Sequence, residues 1–269
     1  MLSIIINHYK SPEVLRLCLN YIKNNAPPDS EIIVSDSETI EKTQDMMHYD
    51  FPEIKFLPEI KNIGFAKSVN RGIINAHGEL FLIINADVVV PDTEAIPKMI
   101  AYMQKNPDIG ILGPKLLNIN GEPQASCFRF YSPKTILARR TLFRKTPWGK
   151  LELDRFLVVS GPAFAEAPAS KSGPVTCDWL MGSALLVRRN ACEQVGPIDE
   201  RYFMYMEDVD WCRSFWAKHW KVVYYPDASF FHYHFQASKK KNAILDILTN
   251  KYTRIHLTSA IKYFIKWGL

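Results

Sequence analysis

The sequence predicts an α/β protein with a mostly parallel, doubly wound sheet flanked by helices, and three observations support this fold class. Short apolar runs rich in Ile, Val and Leu alternate with segments of helical periodicity through residues 2–117. The connections between these segments are short, as in sheets built from repeated strand–helix–strand units. Polar residues follow several of the apolar runs, which is where open α/β sheets place their ligands.

The first part of the chain follows a βαβαβαβ order. A buried strand is expected at residues 2–6, and Ser11 followed by Pro12 is typical of a helix start. The further elements expected here are strands at 31–34 and 54–57, a strand beginning at Leu80, and helices at about 39–47 and from the 62–66 block to about 76. The loop after the first strand contains no G-x-G-x-x-G pattern, which argues against a dinucleotide-binding Rossmann site.

The second part of the chain is less regular. From residue 124 to about 176 the periodicity weakens, and the stretch 161–174, rich in Ala, Pro, Ser and Gly, is expected to be a loop. The elements expected around this region are helices at 93–105, 188–195 and up to about 218, strands at 109–117, 182–187 and 220–225, and a hairpin-like turn at 118–121. Residues 226–234 are expected to lead away from the last strand.

Residues 80–91, LFLIINADVVVP, place a short polar patch that includes Asn85 and Asp87 between two apolar runs. Burying a carboxylate is costly unless another group pairs with it. One interpretation is a turn between two strands with Asp87 facing solvent. The other is a metal or diphosphate ligand at the carboxyl end of a central strand. This stretch alone favours neither interpretation.

Composition excludes several classes of protein. The chain has 269 residues, of which 47% are hydrophobic and 23% are charged, as in an ordinary globular protein. A net charge of +5 is too small to imply nucleic-acid binding by itself. The five cysteines include no CxxC pair, so we expect reduced thiols and a cytoplasmic protein without structural zinc. The sequence shows no signal peptide and no apolar run of membrane-spanning length.

Four polar clusters lie at the ends of expected strands or the starts of expected helices. They are Asp36, Asn85 with Asp87, the acidic group Glu207, Asp208 and Asp210, and the pair His232 and His234. Each has a structural explanation: a helix cap, a turn, a helix N-terminus, or ordinary core and surface histidines. Together they form the set that a nucleotide-diphosphate and metal site needs, because a metal offsets diphosphate charge and a separate carboxylate acts as base.

Six stretches in this order carry a family resemblance. They are IIVSDSETIEKTQ (32–44), NIGFAKSVNRGI (62–73), LIINADVVV (82–90), CDWLMGSALLVRR (177–189), IDERYFMYMEDVDWC (198–212) and YPDASFFHYH (225–234). The chain resembles the family 2 glycosyltransferases with the GT-A fold, close to their rhamnosyltransferase-like branch. The NxGFAxxxN and YxEDxDW blocks are the specific part of this likeness, which covers most of residues 2–238.

The resemblance implies a site for a nucleotide-diphosphate sugar. Asp36 would contact the base of the donor, and Asp87 would bind a divalent metal, Mn²⁺ or Mg²⁺. Asn85 stands where the family's DxD motif has its first Asp, which leaves Asp87 as the metal ligand, with His232 favoured over His234 to complete the site. The donor residues implied are Asn7, Tyr9, Asp36, Asn62, Gly64, Phe65, Asn70, Asn85 and Asp87.

The resemblance also implies the chemistry. Asp208 matches the catalytic base, which would deprotonate an acceptor hydroxyl for a single inverting displacement at the sugar's anomeric carbon. The neighbouring carboxylates are expected to raise its pKa. Asp178, Trp179 and Glu207 would lie near the acceptor. The branch indicates a deoxythymidine-diphosphate rhamnose donor and a saccharide or lipid-linked saccharide acceptor, in the synthesis of cell-surface polysaccharide.

The expected organisation is a GT-A domain at residues 1–238 and a basic amphipathic tail at 239–269. The nucleotide-binding half would end near residue 118, and the acceptor-binding half would span about 119–238. Two interpretations of the tail stay open: a helix packed on the domain, or a helix that docks the protein at the inner face of the cell membrane.

Two other functions were weighed against transfer of a sugar. A nucleotidyltransferase would need a Gly-rich loop after the first strand, where residues 7–10 have no glycine. A catalytically degenerate GT-A protein that binds glycan or acts as a scaffold remains the alternative, because Asn85 departs from the family's motif.

Overall fold

A nine-stranded mixed sheet forms the centre of the fold. The structure, a computed structural model, describes residues 1–140, 142–158, 173–233 and 250–268. The strands are β1 (Leu2–His8), β2 (Ser30–Asp36), β3 (Lys55–Leu57), β4 (Leu80–Asn85), β5 (Val88–Val89), β6 (Ile109–Leu117), β7 (Cys127–Phe128), β8 (Val175–Thr176), β9 (Trp179–Leu180), β10 (Ala184–Arg188) and β11 (Lys221–His232). Their order in the sheet is β3-β2-β1-β4-β10-β6-β11-β5, with β8 paired to β11, while β7 and β9 form a separate ribbon.

Helices cover both faces of the sheet, as the fold class predicts. They are α1 (Pro12–Asn25), α2 (Glu41–Asp50), α3 (Phe65–Ile74), α4 (Ala95–Lys105), α5 (Pro133–Arg140), α6 (Pro147–Phe156), α7 (Arg189–Val195), α8 (Glu207–Ala217) and α9 (Lys251–Trp267). Alternate residues of β1 enter different cores: Ile4 and Ile6 pack in the first core, and Ile5 packs in the second. Because successive side chains of a strand point to opposite faces, this alternation confirms the doubly wound arrangement.

The parallel strands bring several polar residues to one edge of the sheet. In the parallel pairs of β1 with β2 and β4, His8 lies opposite Asp36 and Asn7 lies opposite Asn85. Strand β10 runs antiparallel to β4, with Ala184 opposite Ile84, so the residues just before β10 reach the same edge. This edge carries the carboxyl ends of the central strands, where ligands bind in open α/β sheets.

The expectation that residues 226–234 leave the sheet is wrong. Strand β11 continues to His232 after a shift of register between Tyr225 and Ser229. Such irregularities bend a strand. The end of β11 pairs with β5, with His232 opposite Val88, although β5 follows β4 after only two residues. The last part of β11 therefore passes across the carboxyl end of β4 and brings His232 to the Asn85–Asp87 turn.

The weakly periodic region after residue 124 contains more regular structure than its sequence indicates. It forms α5, a 3₁₀ turn at Leu142–Lys145, and α6, which pack on one another, and Phe156 at the end of α6 contacts Phe128 and Trp179 of the β7–β9 ribbon. Their apolar positions are few, so the helical period is weak in the sequence. His234, most of the loop predicted at 161–174, and residues 239–249 of the tail lie outside the described residues.

The final helix, α9, packs against α8, one of the helices that cover the sheet. In α9, Ser259, Ala260 and Tyr263 are buried, and Tyr263 accepts a 2.9 Å hydrogen bond from Arg213 of α8. In the described part of the chain, no helix is both long and apolar enough to cross a bilayer.

Candidate active site

A cleft of about 540 Å³ opens at the carboxyl ends of the central strands. Four parts of the chain line it: the ends of β1 and β4 with the loop before α3, the loop and first turn of α8, the β7–β9 region, and the start of α9. Among the residues predicted to act in the site, those that line the cleft are Asn7, Tyr9, Asn62, Gly64, Phe65, Asn85, Asp87, Trp179, Glu207, Asp208 and His232.

Asn62 and Gly64 lie in the part of the cleft where the resemblance places the donor, called the donor side below. They join this part to the segment before α8. The Asn62 side-chain oxygen accepts hydrogen bonds from the Gly64 N–H at 3.0 Å and from the Ser37 hydroxyl at 3.3 Å. Gly64 has φ +80°, and a Cβ there would lie 2.4 Å from the carbonyl oxygen of Phe203. Only glycine fits this approach. The Phe65 N–H then donates to that same carbonyl at 2.9 Å.

Asp36 lies behind the cleft wall rather than in it. Its side chain is fully buried, and the His8 Nδ1–H donates to its Oδ1 at 2.8 Å. The His8 Nε2 accepts the Ser11 N–H at 3.0 Å, so Nδ1 carries the ring proton of neutral His8. The second carboxylate oxygen of Asp36, Oδ2, is buried and accepts no hydrogen bond from the described residues.

The turn after β4 presents two side-chain oxygens that receive no hydrogen bond from the described residues. Asn85 Oδ1 and Asp87 Oδ1 are both buried, and neither accepts a hydrogen bond from the part of the chain that is described. The His232 Nε2 lies 3.5 Å from Asp87 Oδ1, and His232 Nδ1 lies 2.9 Å from Gln124 Oε1. Gln124 thus fixes the orientation of His232 and leaves Nε2 directed to Asp87.

Asp208 stands at the first turn of α8 with its carboxylate held toward the cleft. Its Oδ2 accepts the Gly182 N–H at 3.0 Å, and its Oδ1 accepts the Val209 N–H at 2.9 Å. Burial raises the pKa of Asp208 to about 6, against the opposite effect of these two hydrogen bonds. The sequence predicts that neighbouring carboxylates, Asp210 among them, raise this pKa. Asp210 does not contribute to the shift, because its carboxylate turns away from the cleft.

Glu207 lies beside Asp208 at the start of α8. Its pKa is raised well above the ordinary value, first by burial and second by the charge of Asp208. Its buried Oε2 finds no partner among the described residues. Burial thus disfavours the charged form of Glu207 next to Asp208.

The backbone before α8 is strained. Tyr205 and Met206 both have left-handed φ values, 68° and 71°. Such conformations cost free energy in residues other than glycine and often occur at functional sites. Here the two residues redirect the chain so that Glu207 and Asp208 enter the helix facing the cleft.

The pKa of Asp208 gives a pH prediction. A general base acts only when it is deprotonated, so we expect kcat/KM to fall about tenfold per unit of pH as the pH drops below about 6. Above that value the profile should level off. Initial rates measured from pH 4.5 to 8.5, with unfolding followed in parallel by circular dichroism, would check this. An acid limb that lies near the ordinary aspartate pKa would contradict the assignment.

Asp210 serves the fold and not the cleft. Its Oδ1 accepts hydrogen bonds from Trp267 Nε1 at 2.8 Å and Tyr202 Oη at 3.2 Å, and its Oδ2 lies 2.6 Å from Lys266 Nζ. Lys266 also lies 3.0 Å from Asp199. The third carboxylate of the acidic group therefore attaches α9 to α8.

Two further residues that the resemblance placed in the site lie outside the cleft. The Asn70 amide is buried and exchanges hydrogen bonds with the backbone of Ile198, at 2.9 Å to its oxygen and 3.0 Å from its nitrogen. Asp178 accepts the Phe130 N–H at 2.8 Å and lies 3.2 Å from Arg129 Nη1. Both residues hold backbone segments that border the site.

Aromatic side chains form one wall of the cleft, called the acceptor side because the resemblance places the acceptor there. Trp179 stacks on Phe128 with ring centroids 4.4 Å apart and on Tyr131 at 5.7 Å, and its Nε1 donates to the Arg129 carbonyl at 2.8 Å. Arg139 of α5 lines the same part of the cleft. The rings present apolar surface next to the Gly182 loop that holds Asp208.

Sequence reasoning missed several residues that line the cleft or support it. They are His8, Ser37, Gln124, Tyr131, Arg139, Lys251 and His256. The pairing of His8 with Asp36 had a signal, because both residues end adjacent expected strands. Lys251 and His256 had none, because they come from a helix whose position depends on contacts distant in sequence.

The chain matches the profile described as glycosyl transferase family 2 over residues 3–147, more than half of its length. Among curated proteins it is 29% identical over 217 residues to an N-acetylglucosaminyl-diphospho-decaprenol L-rhamnosyltransferase of Mycobacterium tuberculosis, covering 75% of this chain and 66% of the relative. It is 26% identical over 215 residues to the low-salt glycan biosynthesis hexosyltransferase Agl10 of Haloferax volcanii, covering 78% of this chain and 60% of the relative. The chain thus spans less than two thirds of the length of each relative.

Solved structures with the same fold are glycosyltransferases. A mannosyltransferase from Pyrobaculum calidifontis, in complex with GDP-Man and Mn²⁺, aligns with a TM-score of 0.58 at 16% identity, over 97% of this chain and 64% of that one. GalNAc-T7 with UDP, GalNAc and Mn²⁺ aligns with a TM-score of 0.63 at 13% identity, over 97% of this chain and 50% of that one. These likenesses confirm the GT-A fold, and with the profile match they show that the chain belongs to glycosyl transferase family 2.

Proposed function

We propose that the protein is an inverting glycosyltransferase that moves a sugar, L-rhamnose in the first instance, from a nucleotide-diphosphate donor to a saccharide hydroxyl. One observation carries the proposal: the carboxylate of Asp208, with a pKa raised to about 6, is held by the Gly182 N–H in the cleft. A base of this strength is ionised at neutral pH and strong enough to take a proton as a hydroxyl begins to react.

The mechanism that fits this arrangement is a single displacement. The acceptor hydroxyl donates a hydrogen bond to Asp208 and loses its proton to that carboxylate while its oxygen attacks the anomeric carbon. The bond from the anomeric carbon to the diphosphate breaks on the opposite face, so the configuration inverts. The turn Asn85–Asp87 after β4, called the NAD turn below from its one-letter sequence, holds the donor in line for this attack together with the Asn62–Phe65 loop. Asp36 supports the donor side from behind the cleft wall, because His8, which lines the cleft, is hydrogen-bonded to its Oδ1.

The residues at the NAD turn fit a divalent cation. Asp87 and Asn85 each present a buried oxygen that accepts no hydrogen bond from the described residues, and His232 Nε2 lies 3.5 Å from Asp87 Oδ1. Among the described residues no group of three His, Cys, Asp or Glu side chains could hold a metal ion. A cation held by one or two protein side chains takes its other ligands from phosphate and water. When bound, Mn²⁺ or Mg²⁺ would offset the negative charge of the departing diphosphate.

A transfer assay tests the proposal and its main alternative. The protein is incubated with a panel of nucleotide sugars, including deoxythymidine-diphosphate rhamnose, with and without Mn²⁺, together with N-acetylglucosaminyl-diphospho-lipid. The mycobacterial relative is named for this acceptor class. We expect product only from a matching donor. A protein that binds the nucleotide sugars and glycan yet releases no nucleoside diphosphate with any of them would be the degenerate, glycan-binding protein instead.

The exposed face of α9 supports a further part of this proposal, namely that the protein contacts a membrane peripherally. Such contact would bring the cleft to a lipid-linked acceptor. Leu257, Ile261 and Ile265 are spaced by four residues and are 43%, 51% and 77% exposed. Lys251, Arg254 and Lys262 line a shallow hollow beside them. An apolar stripe flanked by cations is the pattern of helices that lie on anionic lipid.

Removing the apolar stripe should weaken membrane contact. We expect the double variant Ile261→Ser/Ile265→Ser to float with anionic vesicles at least about fivefold less than the unmodified protein, because each buried aliphatic side chain contributes roughly 1.5–3 kcal/mol. The matched control is Ile60→Ser/Ile119→Ser, which removes two isoleucines that are 87% and 68% exposed elsewhere. Equal flotation of both variants would contradict this role for α9.

A further inference from the structure

The acceptor side of the cleft contains a cation whose charge the proposed catalytic steps do not use. Arg139 of α5 lines the cleft together with Tyr131, Trp179 and Asp208. Its guanidinium lies over the rings of Tyr131 and Phe156, 5.5 Å and 5.2 Å from their centroids, and Nη1 donates to the Tyr131 hydroxyl. The aromatic contacts fix the plane of the guanidinium without neutralising its charge.

Arg139 differs from Arg129, an arginine of the same region, in its partners. Arg129 lies 3.2 Å from the Asp178 carboxylate, so its charge is paired, and it does not line the cleft. Within the described part of the chain, no carboxylate lies within ion-pair distance of Arg139. A guanidinium that is held in place but not paired with an anion is suited to bind a phosphate, because its parallel N–H groups match two phosphate oxygens.

We propose that Arg139 is a specificity residue that binds the phosphate attached to the acceptor sugar. The inference rests on the proposed function and assigns the acceptor class: a sugar that carries a phosphate or diphosphate on its anomeric oxygen. The sugar ring lies against the edge of the Phe128–Trp179 stack, a hydroxyl reaches Asp208, and the phosphate reaches Arg139. The donor diphosphate occupies the other side, at the NAD turn.

The order of residues along the cleft supports this placement. The segment from Trp179 to Gly182 connects the aromatic wall directly to the N–H that holds the Asp208 carboxylate. One face of the bound acceptor thus meets an apolar wall. One of its ends meets the proton-accepting carboxylate of Asp208, and the other end meets the cationic guanidinium of Arg139. A neutral saccharide would leave the guanidinium without an anion, whereas a phosphorylated one would satisfy both ends.

A binding experiment tests the inference without depending on turnover. The full chain is first saturated with deoxythymidine diphosphate. The nucleotide occupies the donor side, so that binding of the sugar phosphate there does not contribute to the signal. Binding of N-acetylglucosamine 1-phosphate and of the neutral methyl N-acetylglucosaminide is then measured by ligand-observed NMR. We expect the phosphorylated sugar to bind about tenfold more tightly, as for a charge-assisted pair of hydrogen bonds.

Three variants identify the cation. Arg139→Gln should abolish the preference for the phosphorylated sugar, and Arg139→Lys should keep part of it because the charge remains but the fork is lost. Arg129→Gln is the matched control and should keep the full preference. Thermal unfolding of each variant checks that the fold is retained.

The inference is overturned if the unmodified protein binds the two ligands equally, if neither ligand binds measurably, or if Arg139→Gln retains the preference. Its failure is separable from failure of the proposed function: a protein that transfers sugar but ignores the phosphate refutes only the role of Arg139. A protein that distinguishes the two ligands yet transfers no sugar refutes only the proposed function.

Discussion

Replacing Asp208 by Asn is expected to lower the rate of sugar transfer by about 10²–10⁴-fold, the usual contribution of a general base. The amide cannot take the proton of the acceptor hydroxyl. Its oxygen can still accept the Gly182 N–H, so the geometry of the cleft should survive. The dissociation constant of the nucleoside diphosphate, measured by titration calorimetry, should stay within about twofold because the proposed partner of Asp208 is the acceptor hydroxyl and not the nucleoside diphosphate.

The stability of this variant separates a catalytic role from a folding role. Folding raises the pKa of Asp208 to about 6, so the carboxylate stabilises the fold below its unfolded pKa and loses that contribution as the pH rises through about 6. At pH 7.5 the neutral Asn avoids the penalty, and the melting temperature should be unchanged or higher. Asp45→Asn, on the exposed surface of α2, is the matched control. Equal loss of transfer, nucleotide binding and stability would show that Asp208 serves the fold.

Lys266→Met is expected to destabilise the protein by about 3 kcal/mol, the typical cost of removing one partner of a buried ion pair. Asp210 is 1% exposed and would keep only the Tyr202 and Trp267 donors for a carboxylate that loses its countercharge. A change of this size lowers the melting temperature by roughly 6–12 °C in a chain of this length. Differential scanning calorimetry measures it.

The control for this prediction is Lys262→Met on the same helix. Lys262 donates to the Arg201 carbonyl at the exposed surface, so its loss should cost no more than about 0.5 kcal/mol. If both variants unfold at the same temperature, α9 is not attached to α8 through Asp210. Transfer should fall with Lys266→Met only at temperatures where the variant begins to unfold, because Lys266 does not line the cleft.

The parts of the fold that the sequence predicted are those with strong local signals. The parallel strands β1, β2 and β4 are short runs of β-branched residues, and their carboxyl ends coincide with polar residues, so both the sheet and the edge that binds ligand could be inferred. Asp87, His232 and Asp208 all line the cleft at this edge, because Asp87 follows a strand, His232 ends one and Asp208 lies in the first turn of a helix.

The parts that were missed depend on contacts between distant segments. Asp210 belongs to the same acidic block as Asp208, and only the position of α9 shows that it binds Lys266 and Trp267, which come 56 and 57 residues later. Asn70 likewise belongs to the block that carries the likeness, yet Ile198 uses its amide. Motif spacing identifies which residues matter, but it does not distinguish a side chain that faces the cleft from one that holds the wall behind it.

The measurement that tests the account most directly is the anomeric configuration of the first product, read by proton and carbon NMR during the initial phase of transfer. A single displacement with Asp208 as base predicts that the new glycosidic bond has the configuration opposite to that of the donor. A product that retains the donor's configuration would contradict the account, because retention requires a second displacement or a front-face attack that does not follow from the arrangement of Asp208, Glu207 and the NAD turn.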